Sequence, residues 1–404
     1  MPDDRSMQIH PPVLTVTERA MAKETSPARR DLRLDFFRGL ANWAIFLDHI
    51  PNNAVAWVTT RNYGFSDAAD VFVFISGYTA AFIYARKMVA QGYLAGTALL
   101  IRRVWQLYVA HILLFVFYAV AIGYVAQNYG HSHLLDEFNV AGLIEQPVAT
   151  LAQGLLLKFK PLNLDVLPLY IVLMAGFAPL LILMMRAPDA ALAASIMVYV
   201  LARHFGSNFP AHPSGGWYFN PLAWQLLFTM GAWAALGGAA RAQALARSRT
   251  VLIASVAFVV FAFVVTIGAR FGLSTALSPV FDVLSEKTNL APYRIVHFLA
   301  LAVIVVHLVP RDWKGLDSKL ARPVIVCGQR SLEVFCVGIF LSFVGHFILE
   351  MYSDRLITQI GVSVGGVVLM TAVALYRTWS RTLDARAPKA SVTPVAIGSK
   401  GENE

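Results

Sequence analysis

Charge is scarce in this chain. Only 14% of its 404 residues are Asp, Glu, Lys or Arg, while 57% are hydrophobic. A soluble domain carries about 25% charged and about 45–50% apolar residues. That deficit excludes an ordinary water-soluble globule. With a mean hydropathy of +0.59, the chain reads as an all-α, polytopic integral membrane protein. Cysteine is nearly absent too. Cys327 and Cys336 are the two present, and nine steps of about 100° set them on opposite faces of one helix. They then neither bridge nor share a metal, and read as small core residues. No thiol nucleophile is left.

Other features are missing as well. Residues 1–28 are polar and lack the apolar core of about 7–15 residues that a signal peptide needs, so they read as a disordered cytoplasmic tail. Residues 385–404 look similar, which leaves 29–384 as one membrane domain without a soluble one. No internal repeat stands out, and no close His/Asp cluster has metal-ligand spacing, so no metal site is expected.

What the chain does have is long apolar runs. Against the roughly 20 residues that span a bilayer, about ten candidates emerge: 36–57, 68–85, 104–126, 164–185, 190–205, 219–239, 251–270, 292–309, 324–350 and 356–376. The net charge of +9 would suggest nucleic acid in a soluble protein. Here the cations fall between spans, so they speak of topology and a lipid bilayer, with no nucleic-acid partner. With the N-terminus inside, the interior segments receive Arg29, Arg30, Arg33, Arg86, Lys87, Arg102, Arg103, Arg241, Arg247, Arg249, Arg311, Lys314, Lys319, Arg322, Arg377, Arg381 and Arg386. Exterior loops hold only Arg61, Lys158, Lys160, Lys287 and Arg355. Ten spans then put both termini in the cytoplasm.

Polar residues inside spans deserve a reason, because each charge costs about 2.5–3.5 kcal/mol on insertion scales. In RDLRLDFFRGLANWAIFLDHIP (30–51), Arg38 and His49 are eleven residues apart. Helical geometry leaves them about 20° apart in azimuth and roughly 16 Å apart along the axis. Arg38, Asn42, Ile45 and His49 thus form one stripe, with a cation at the cytoplasmic end and a titratable base toward the periplasm. Snorkelling of Arg38 and a plain interhelical hydrogen bond from His49 are the structural alternatives. Asp48 is about 100° round from His49 and does not reach it while both stay helical.

FSDAADVFVFISGY opens the second span, and its Asp67 and Asp70 share a face at the outer end. They read either as N-capping groups or as the carboxylate that fixes the tautomer of His49 and steadies its imidazolium. In VIVCGQRSLEVFC, Arg330 and Glu333 share a face as an ion pair, or Arg330 helps hold an anionic cofactor from the cytosol. Arg294, His297 and His111 read as structural. Two exterior loops, 127–163 and SNFPAHPSGGWYFN, suit either a polar-ligand mouth or an interfacial belt, with 140–157 a candidate interfacial helix.

These stretches, with LDVLPLYIVLM, GWYFNPLAWQLLF, KTNLAPYRIVHFLALA and GQRSLEVFCVG, resemble the OpgC-type succinyltransferases of osmoregulated periplasmic glucans, within the transmembrane acyltransferases, from about 30 to about 350. The spacing of Arg38 and His49 is similar to that in acyltransferase family 3, whose His is regarded as catalytic. The resemblance implies a bacterial inner-membrane, ten-span enzyme with no resident cofactor. Its donor would be cytosolic acyl-CoA and its acceptor a periplasmic glucan or related carbohydrate. A polyanionic donor suits a basic inner mouth of Arg38, Arg330, Arg102 and Arg103. His49 is then the general base and Asp67 or Asp70 its partner, whether transfer is direct or through an acyl-His. The acyl group stays open between succinyl and acetyl. A proton-coupled transporter using Arg38, His49, Asp70 and Glu333 is the reading from another class, although such proteins often show inverted repeats.

Overall fold

The computed structural model describes residues 31–386 apart from 274–276 and 311. The expected tail at 1–28, nearly all of the one at 385–404, and Arg29, Arg30 and Arg311 lie outside those residues. Helices dominate, and among the described residues the one β feature is a bridge between Pro210 and Gly216. Among the described residues, six helices are long and apolar enough to cross a membrane by length and composition, or seven if one bent pair counts as a single span.

Helix α1 (Leu32–Asp48) starts at Asp31, whose side chain accepts the Arg33 amide, and ends earlier than the expected 36–57. Pro51 explains the difference: it disfavours helical backbone at Ile50 and brings no N–H of its own. The chain continues through Asn52 at φ 56° into a short 3₁₀ helix, Ala54–Val58, capped by Asn53. Helix α2 (Ala68–Gln91) and α3 (Tyr93–Asn128) follow, with Gly92 between them at φ 87°. The loop after α3 folds into α4 (His133–Glu137), α5 (Gly142–Glu145) and α6 (Pro147–Leu155). The expected interfacial segment 140–157 therefore forms two short helices.

The expected span 164–185 is a pair, α7 (Val166–Ala175) and α8 (Phe177–Arg186), bent by 54°. Gly176 is a weak helix former, and Pro179 takes away the amide that would bond the Ala175 carbonyl. Helix α9 (Pro188–His204) leads to α10 (Pro221–Trp233), which runs through a π turn at Ala234–Gly238 into α11 (Ala239–Ala246). Next come α12 (Arg249–Arg270), α13 (Leu277–Ser285) and α14 (Pro292–Leu308).

The expected continuous span 324–350 is broken. Helix α15 (Ala321–Gln329) and α16 (Ser331–Met351) meet at Arg330, whose φ of −111° and ψ of 36° leave the helical region. The one-helix reading of Cys327 and Cys336 is corrected accordingly; both are free thiols, Cys327 buried and Cys336 half-buried. Helix α17 (Leu356–Arg386) closes the described chain.

Two close approaches set the position of α1. A Cβ on Gly39 would lie 1.9 Å from the Val324 carbonyl oxygen, and one on Gly328 would lie 1.8 Å from that of Asp35. Only glycine lets α1 and α15 touch backbone to backbone, as small residues do between membrane helices. On its other side α1 packs against α2, which lies against α10. Arg38, Asn42 and Ile45 are buried and His49 is half-buried, so the predicted stripe faces inward.

Candidate functional site

The end of α1 opens on a cavity of about 1230 Å³. That exceeds the roughly 300–1,000 Å³ of common small-molecule sites. Its wall is built from the ends of α1 and α2, from the connecting stretches around 49–67, 158–165 and 211–219, and from the end of α13 with Lys287 beyond it. All of these are segments that charge counting places outside.

His49 lines this cavity as the C-cap of α1, its backbone amide donating to the Ile45 carbonyl. The ring repeats that contact: Nδ1 lies 2.5 Å from the same oxygen. A carbonyl oxygen only accepts, so Nδ1 is the protonated nitrogen and Nε2 carries the lone pair. A backbone carbonyl of its own helix thus sets the tautomer. Asn163 supports the same cap. It adopts φ 72°, a region Asn tolerates, and its Nδ2 donates to the His49 carbonyl at 3.4 Å.

Asp67 and Asp70 do not pair with the His49 ring as expected. Asp67 caps α2 by accepting the Ala69 amide at 2.8 Å, and the Asp67 amide donates back to Asp70 at 2.8 Å. Lys287 lies 2.7 Å from Asp67, and the buried Arg294 lies 3.1 Å from Asp67 and 2.5 Å from Asp70. The capping alternative is what the geometry shows, locked by two cations from the far side of the chain. Asp48 accepts from Thr59 Oγ1 at 2.6 Å, while Arg61 donates to the Asp48 carbonyl at 2.8 Å.

The cations gather here. Arg61, Lys158, Lys160 and Lys287, scattered along the exterior loops in sequence, all line the cavity together with Arg270 and Arg294. Asp48, Asp67 and Asp165 are the carboxylates facing them. Lys160 Nζ sits 3.8 Å from the centre of the Trp217 ring and donates to the Leu157 carbonyl at 3.2 Å. Burial pushes its ammonium down to about 8, against the pull of Asp165. The loop 207–220 supplies His212, Tyr218 and Phe219 to the wall, whereas Trp217 is buried beneath Lys160.

The residues expected at an inner mouth lie away from this cavity. Arg38 is buried in the helix pair, donating to the Ile75 carbonyl at 2.8 Å and to Thr79 Oγ1. Arg330 Nε donates to Thr378 Oγ1 at 3.1 Å. Glu333 lies 3.4 Å from Arg377 and 3.9 Å from Arg381. Arg102 is exposed, and Arg103 is half-buried with its guanidinium 3.4 Å from Gln106. None of Arg38, Arg102, Arg103 and Arg330 lines the cavity.

Sequence reasoning missed Asn163, Lys160, Lys287 and Arg61 as wall residues. Their one common signal was their place in exterior loops. It also missed a cluster: His131, His133, Glu137, His346 and Glu350 converge beside α16 in two overlapping groups whose ligand atoms lie within 4.8 Å of one another. The absence of metal-ligand spacing in sequence is therefore no guide here, because the donors come from two separate segments.

Buried ion pairs at a helix end, a polar cavity and a base with a free lone pair, set in an apolar helical bundle, define a multi-pass membrane protein with a built site at one end. The sequence profile of the OpgC protein family matches residues 30–382, and the chain belongs to that family. Membership implies a membrane acyltransferase in general terms. No curated protein and no solved structure matches the chain.

Proposed function

We propose that this protein moves an acyl group, succinyl in the favoured reading, from cytosolic acyl-CoA to hydroxyls of periplasmic glucans, with His49 as general base. The observation that carries the reading is the His49 ring. Its Nδ1 proton is committed to the Ile45 carbonyl, and the ring belongs to the wall of the large polar cavity. A carbohydrate hydroxyl in that cavity gives its proton to Nε2 as its oxygen attacks the thioester carbon. The tetrahedral intermediate collapses, the carbon–sulfur bond breaks, and the proton passes from Nε2 to the coenzyme thiolate. Asp67 and Asp70 are taken up by Lys287 and Arg294, so the Ile45 carbonyl, in place of a carboxylate, orients the imidazole. Cavity cations suit a polar acceptor and an oxyanion.

The proposal includes the topology: ten spans in the bacterial inner membrane, both termini cytoplasmic. Three 17-residue helices, α1, α9 and α14, join the seven longer or bent candidates. Seventeen residues is about the lower limit for a span. The cytosolic donor is assigned to Arg38, Arg330, Arg102 and Arg103, whose Arg-rich end lies opposite the cavity along α1.

The test is an assay of purified protein with succinyl-CoA, acetyl-CoA and a neutral periplasmic glucan, read by the mass added to the glucan. His49→Ala should lower transfer by about 10²–10⁴-fold at unchanged expression and membrane insertion. Full activity in that variant removes the general-base assignment. Acetyl transfer in place of succinyl corrects the donor and keeps the chemistry.

A further inference from the structure

The cluster beside α16 stands apart from the proposed acyl-transfer site and does not depend on that reading. We infer that His131, His133, Glu137, His346 and Glu350 form a structural site for a divalent transition-metal cation of the zinc type, which clasps the loop after α3 to the outer end of α16.

The donor set comes from two short patterns. His131 and His133 flank one residue at the start of α4, and Glu137 ends that helix. His346 and Glu350 are four apart on α16, so they project from one face. His131 Nδ1 and His133 Nε2 both address Glu350 Oε1, at 3.2 and 2.5 Å. On the other side His346 Nε2 lies 3.2 Å from Glu137 Oε1 and 3.4 Å from Glu350 Oε2. Donors about 2.0–2.2 Å from a tetrahedral zinc are separated by about 3.3–3.6 Å; the 3.4 Å spacing falls in that range, the two at 3.2 Å fall just short of it, and the 2.5 Å contact would have to open.

His346 supplies a second, independent sign. It is 8% exposed, and its Nε2 is buried and makes no hydrogen bond despite two carboxylate oxygens at that range. A ring nitrogen and two carboxylates turned toward a common point without hydrogen bonding fit a cation between them. Imidazole with carboxylate suits zinc and its neighbours rather than magnesium or calcium, which prefer oxygen alone.

The clasp would act on the cavity wall. Phe138 packs against His346 and Phe343, with ring centres 5.5 and 5.3 Å away. The Leu162 amide donates to the Phe138 carbonyl at 2.9 Å, and Asn139 Nδ2 donates to the Lys160 carbonyl at 2.9 Å. Lys160, Leu162 and Asn163 are cavity-lining residues, and Asn163 reaches the His49 carbonyl. A metal at the cluster therefore braces the wall that holds the cap of α1.

The experiment uses full-length protein purified in detergent without a polyhistidine tag, stripped with a chelator and titrated with zinc chloride. Bound zinc is counted by elemental analysis, and unfolding temperature is followed in parallel. One zinc per chain should be retained, and unfolding should rise by roughly 2–4 °C at zinc near a hundredfold above Kd. Magnesium should do neither. His133→Ala, at a mostly exposed side chain that leaves the fold intact, should weaken zinc binding at least about tenfold, and Glu350→Gln should abolish it. No retained zinc, or zinc bound equally by the wild type and both variants, overturns the site.

Discussion

At the cavity end, Lys287 reaches Asp67 across 220 residues of sequence, and Arg294 reaches Asp70 across 224. Toward the other end of the bundle, Arg103 meets Gln106 within its own helix, and Arg38 meets the backbone of the adjacent α2. The cavity end is an assembled polar site, whereas Arg103 and Arg38 are held by their own helix or the adjacent one. The comparison separates two uses of charge. At the cavity, paired charges are desolvated together and shape its wall. At the opposite end, Arg38 and Arg330 bond to Ile75 and Thr378 on neighbouring helices, and Glu333 lies near Arg377 and Arg381.

The sharpest way to break this contrast is at Arg294. Arg294→Met leaves two carboxylates at the head of α2 with one cation fewer, and removing one partner of a buried pair costs about 3–5 kcal/mol. The expected result is a large fall in the unfolding temperature in detergent, partly recovered when Asp70→Asn is added. An unchanged unfolding temperature would show that the pair is not desolvated.

Arg38→Ala tests the inner end. Helix pairing and donor binding both predict some loss of stability, so apparent affinity separates them. About a tenfold rise in KM for acyl-CoA, a loss of about 1.4 kcal/mol, is expected with little change in kcat. An unaltered KM would confine Arg38 to joining α1 to α2.

Lys160 gives a pH test. Its pKa falls from 10.5 to about 8, so between those values the unfolded chain binds more protons than the folded one. Stability then rises with pH across that window, while the positive charge offered to a ligand disappears. Transfer should decline as pH passes about 8 after correction for thioester hydrolysis, and Lys160→Arg should move that decline upward. An identical pH–rate profile in both proteins would exclude Lys160 from ligand binding.

The smallest effect is expected at Arg102, which is exposed. Arg102→Ala should change stability by less than about 0.5 kcal/mol, and its effect on KM should fade with added salt as screening sets in. A salt-independent effect would mean a direct contact with the donor.

Much of this was legible in sequence. Helical segments overlie all ten apolar runs, because hydropathy and the 3.6-residue repeat depend only on neighbours along the chain. The inward stripe of α1 and the capping pattern of Asp67 and Asp70 were readable for the same reason, since both rest on contacts within about four residues. Tertiary structure alone decided the rest. It broke the helix at Arg330 and assigned Asp67 and Asp70 to Lys287 and Arg294, which left His49 without a carboxylate partner. It also drew four loop cations into one wall, and brought His131 and His133 to a glutamate 217 residues or more away. Loops have no repeat to reveal which side chains they will meet, and packing against distant helices settles that only once the chain has folded.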